Sequence, residues 1–103
     1  MGNYYSRGPI EKEDTEIDIS YQKLTALPFE LTQEQYNYVH LHTLNASNNA
    51  LATLAGIKRL HALLDLNLEH NNIKQLEEDL LQLVQLQRLN CIHPSFVSKL
   101  DCN

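Results

Sequence analysis

The chain has 103 residues, a formal net charge of -5 and only three glycines and three prolines. That length fits one domain. The negative balance argues against nucleic acid as a partner, and no apolar run approaches the ~20 residues needed to cross a bilayer.

Residues 1–13, MGNYYSRGPIEKE, read as a polar, mobile lead-in with no apolar signal-peptide core. Tyr4, Tyr5 and Ile10 are the side chains in it able to cover one end of the domain that follows. Met1-Gly2-Asn3-Tyr4-Tyr5-Ser6 fits the pattern for N-myristoylation, with Gly2 supplying the amine and Ser6 the favoured hydroxyl. A single acyl chain gives only marginal, reversible membrane binding. No neighbouring cysteine and no polybasic patch reinforce it, because Glu11, Glu13 and Asp14 offset Arg7 and Lys12.

From residue 14 a pattern recurs. Ile17, Ile19, Gln22, Leu24 and Leu27 open it in degenerate form, with Gln22 at a position that later holds Asn. Pro28 stops a strand. A short helix is expected over residues 32–40, capped by Thr32 with Gln35 three residues on. Leu41, Leu44, Ala46, Asn49 and Leu51 then form LHTLNASNNAL, and Leu63, Leu66, Leu68, Asn71 and Ile73 form LLDLNLEHNNI, 22 residues later. The first interval is longer, at 27 residues, and the last, to Leu86, is 23. Leu54, Ile57 and Leu60 fall in one return segment and Leu76, Leu80 and Leu83 in the next. Leu89 and Cys91 take strand positions before Pro94 and Phe96 break the pattern.

Alternation of Leu44 and Ala46, or Leu66 and Leu68, with polar neighbours predicts short strands with one apolar face. One unit cannot bury its own stripe, whereas parallel neighbours can. Asn49 and Asn71 carry both donors and an acceptor, which suits them to satisfy backbone groups at a buried bend. The competing reading is a small helical bundle, because Leu spaced by three and four also marks an amphipathic helix. Against it, Asn48-Asn49 and Asn71-Asn72 interrupt helices at matching places.

This arrangement resembles the leucine-rich repeat family over residues 14–96. The resemblance rests on the two full motifs, with Gln22, Pro94, the long first interval and the lack of cysteine-rich caps as departures. It implies an α/β solenoid of about four units, with a concave parallel β-sheet and helical or irregular convex return segments. Residues 97–103 would form a short cap or tail. Members mostly bind other proteins through the concave strands, as non-catalytic modules or adaptors.

Projected onto strands, the spacing places Glu16, Thr43, Asp65 and Arg88 in one outward row. Asp18, Asn45, Asn67 and Asn90 form the next, then Ser20, Ser47, Glu69 and Ile92, with Tyr21, Asn48, His70 and His93 at the edge. The candidate protein-binding residues are Asp18, Thr43, Asn45, Ser47, Asp65, Asn67, Glu69, His70, Arg88 and Asn90. Their acidic bias favours a partner with a basic contact surface. Plain solvation of an exposed sheet is the alternative. Phe96, Val97 and Leu100 offer a second surface, through which copies of the chain or another protein would associate at the C-terminal end.

No metal or cofactor site and no enzyme activity are expected. The five histidines follow the period of the pattern and not a zinc-ligand spacing. Cys91 takes an inward position where a thiol is a poor nucleophile, and His93 points away from it. With no secretory signal, both cysteines are expected as free thiols in a reducing, cytoplasmic setting, with weak association to a membrane's cytoplasmic face through Gly2.

Overall fold

Four tripeptides each set an apolar residue between two polar ones, and in the computed structural model each is a strand. The structure describes residues 14–32, 40–73, 80 and 82–90. The strands are β1 (Glu16–Asp18), β2 (Thr43–Asn45), β3 (Asp65–Asn67) and β4 (Arg88–Asn90). They form one parallel sheet in chain order, β1-β2-β3-β4. The register aligns Glu16, Thr43, Asp65 and Arg88, then Ile17, Leu44, Leu66 and Leu89, then Asp18, Asn45, Asn67 and Asn90.

Backbone pairing continues past both ends of these short strands. Before them, three carbonyls each accept two successive N–H groups from the next crossing. Thr15 O takes His42 N and Thr43 N, His42 O takes Leu64 N and Asp65 N, and Leu64 O takes Gln87 N and Arg88 N. After them, Ile19 N donates to Asn45 O, Ala46 N to Asn67 O and Leu68 N to Asn90 O, at 2.7–2.9 Å.

The middle residues of the strands all point to one side. Ile17, Leu44, Leu66 and Leu89 form one buried row, and Ile19, Ala46 and Leu68 form the next. Leu41, Leu51, Leu54, Ile57, Leu60, Leu63, Ile73, Leu80 and Leu83 close over them in a single core cluster with Leu27 and Leu31.

The first two connections are built differently from one another. The β1–β2 connection carries α1 (Phe29–Thr32), started after the buried Pro28, whose carbonyl accepts Leu31 N at 2.9 Å. Its Leu31 is buried in the core. The β2–β3 connection carries a 3-10 turn, Ile57–Arg59, with Ile57 buried. The two pack together where Gly56 meets Thr32. A Cβ on Gly56 would lie 2.7 Å from Thr32 Cβ and Cγ2, and Gly56 has φ +90°. Glycine is required there for both reasons.

Three expectations are corrected here. Thr32 is not the cap of a helix beginning after it; it is the last residue of α1, and its hydroxyl bonds back to Phe29 O at 3.5 Å. The rest of the expected helix, residues 33–39, lies outside the described residues. The solenoid is also corrected, and with it the leucine-rich repeat resemblance. The described residues make one α/β domain in which α1 and one four-stranded sheet share one core. A strand and its turn recur, but a four-residue helix and a three-residue 3-10 turn are not copies of one return segment. The radius of gyration is 12.5 Å, against about 13 Å for a compact domain of 100 residues.

Candidate binding face

The outward residues of the strands make a polar face whose side chains are fixed by the turns that follow. Asp18 Oδ1 accepts from Ser20 N at 2.9 Å and Ser20 Oγ at 2.6 Å. Asn45 Oδ1 accepts from Ser47 N at 3.1 Å and Ser47 Oγ at 2.7 Å. Asn67 Oδ1 accepts from Glu69 N at 3.0 Å. Each side chain thus spends an oxygen on the backbone two residues on, which is an Asx turn. The register places Asn45 beside Asn67. Their Nδ2 groups have no acceptor among the described residues and are two adjacent, preorganised donors.

Three residues later in each turn the backbone is left-handed, at Tyr21 (φ 59°), Asn48 (φ 58°) and His70 (φ 59°). Asn and His are enriched in that region, whereas a bulky aromatic residue is uncommon there. Tyr21 is 76% exposed.

Beneath the face, two further asparagines tie the crossings together. Asn49 Oδ1 accepts from Gln22 N (2.9 Å) and Leu24 N (3.1 Å), while its Nδ2 donates to Ile19 O, Ala46 O and Ser47 O at 3.0–3.2 Å. Asn71 Oδ1 accepts from Leu51 N (2.9 Å), and its Nδ2 donates to Ala46 O, Leu68 O and Glu69 O at 2.8–3.3 Å. Gln22 takes part through its backbone N–H.

The candidates read from the sequence sit as follows. Thr43 and Asp65 are half-buried neighbours across β2 and β3, and Arg88 is exposed on β4. Arg88 Nε lies 3.4 Å from Asp65 Oδ2, a cross-strand ion pair with side chains 65% and 33% exposed. Thr43 Oγ1 shares a 3.2 Å hydrogen bond with His42 Nδ1. Asp18, Asn45, Asn67 and Asn90 share the next aligned row, all half-buried. Ser47 is 5% exposed with its hydroxyl committed to Asn45, so it is the least accessible candidate. Glu69 is half-buried and His70 exposed.

Gly2, Cys91, Ile92, His93, Phe96, Val97 and Leu100 lie outside the described residues. Among the described residues no three His, Cys, Asp or Glu side chains are grouped to hold a metal ion, and no helix is long and apolar enough to cross a membrane.

The Asx turns and the left-handed residues after them escape a reading of hydrophobic period. Their signal is present as an Asp or Asn followed two residues later by Ser at Asp18–Ser20 and Asn45–Ser47. No family model, curated protein or solved structure matches the chain.

Proposed function

We propose that this chain is a non-catalytic protein-binding module that takes its partner on the exposed face of the sheet. The observation that carries the reading is the pair of aligned Asn45 and Asn67 amides, held by their own turns with their donors unspent. Groups fixed before binding lose little conformational entropy on binding, which is the advantage of display on a sheet. Around them lie Glu16, Asp18, Asp65 and Glu69, and Asp65 pairs with Arg88 of β4. A partner with a basic contact surface suits this face. The opening Met1-Gly2 sequence supports acylation of Gly2, which would tether the module reversibly to the cytoplasmic face of a membrane.

The test exploits Asp18, which makes the same turn as Asn45 with a carboxylate. Asn45→Asp and Asn67→Asp therefore keep the turn and replace the outward donor with an acceptor. Quantitative pull-down from native cell extract would compare the parent, this double variant, Gly2→Ala, and Lys58→Ala on the 3-10 turn, which lies outside the sheet. Loss of the same protein with the double variant, although its two added negative charges by themselves favour a basic partner, and its retention with Lys58→Ala, is the expected outcome. Equal capture by all forms would remove the sheet face from the function. Loss with Gly2→Ala alone would make membrane placement the controlling feature.

A further inference from the structure

Among the described residues at the edge of this face, Tyr21 is the one whose identity the fold does not explain. Its aligned counterparts are Asn48 and His70, and all three share the same left-handed backbone. Tyrosine is a poor choice for that conformation, and at 76% exposure its ring recovers little by burial. An exposed tyrosine brings large, stiff contact area and a π face to an interface. Two crossings along the same face, the carboxylate of Glu69 has no partner among the described residues.

We propose that the sheet face takes an arginine-bearing peptide segment, with one guanidinium stacked on the Tyr21 ring and another on the Glu69 carboxylate. This rests on the sheet-face reading above. Charge complementarity alone would accept lysine equally. The aromatic platform selects arginine, whose guanidinium is planar, more weakly hydrated than an ammonium and able to stack. Asn45 and Asn67 then have the segment's backbone carbonyls as acceptors.

The test is fluorescence anisotropy of the full chain with labelled, end-capped hexaarginine and hexalysine peptides, which carry equal charge. The parent should bind hexaarginine about threefold more tightly than hexalysine, the size of an exposed cation–π contact. Tyr21→Phe should keep that gap, and Tyr21→Ala should narrow it to what the carboxylates alone give a guanidinium over an ammonium. Both variants should fold, because the side chain is largely outside the core; circular dichroism checks this. Equal affinity of the parent for the two peptides, or a gap that Tyr21→Ala leaves undiminished, overturns the inference. If it is overturned while capture of the native partner still depends on Asn45 and Asn67, the sheet-face reading stands alone. Capture indifferent to those two residues overturns the reading itself.

Discussion

Asn49 and Asn71 are similar residues with unequal loads. Each amide nitrogen serves three carbonyls, but Asn49 Oδ1 carries two backbone N–H groups and Asn71 Oδ1 carries one. Replacing either with Ala leaves part-buried backbone groups unpaired, at about 1–3 kcal/mol. Asn49→Ala should therefore cost more than Asn71→Ala in urea denaturation. Asn49→Asp should be at least as damaging as Asn49→Ala, because an oxygen would replace the amide nitrogen beside those carbonyls. Equal midpoints for all four proteins would show that these bonds contribute nothing net. Their role in satisfying backbone groups at a bend followed from the side chain's inventory of donors and acceptor, and the structure gives each amide both kinds of partner. The Gly56–Thr32 approach was not legible, because it joins two connections through space. Gly56→Ala should lower stability by about 1–3 kcal/mol through overpacking, with left-handed strain added. A thermal melt unchanged from the parent would refute that contact.

At the scale of elements, alternation identified the strands, and spacing aligned them residue by residue. Parallel pairing fixes the alignment because a slip of one residue would turn Leu44 or Leu66 out of the core. The connections were less legible. Pro28 starts α1 rather than merely ending a strand, and leucines at helical spacing in the β2–β3 connection line a 3-10 turn and loop. Leucine marks what must be buried, not which backbone buries it. Two substitutions on β3 separate its faces. Leu66→Ala, fully buried, should cost about 2–5 kcal/mol. Asp65→Asn removes a solvent-screened ion pair with Arg88 and should cost less than about 1 kcal/mol, falling further in high salt. A larger penalty for Asp65→Asn than for Leu66→Ala in denaturant titrations would reverse the assignment of inner and outer faces.

For the whole molecule, recurrence of a strand motif suggested a solenoid of stacked units, and the structure shows one core instead. The inference failed at a definite step. Regular spacing of strands requires that crossings return at similar intervals, but it does not require that the returns be alike. Here Leu31 of α1, Ile57 of the 3-10 turn and Leu83 before β4 all enter the same cluster as the sheet. Such a domain should unfold as a unit. Urea transitions followed by far-ultraviolet circular dichroism and by hydrogen exchange at Leu44 and Leu89 should coincide. Separate transitions for β1–β2 and β3–β4 would restore independent units.

The asparagine ties also have a direction. Every partner of Asn49, from Ile19 to Ser47, precedes it in the chain, and every partner of Asn71, from Ala46 to Glu69, precedes it too. A nascent polypeptide grows from its N-terminus at about 5–20 residues per second. As each of these asparagines clears the ribosome, all of its hydrogen-bonding partners have already been made, so neither must wait for unsynthesised chain. The two ends are therefore unequal as places to cut. A chain stopped after Asn72 retains both sets of side-chain ties, whereas one begun after Leu24 has lost three of the five groups that Asn49 holds.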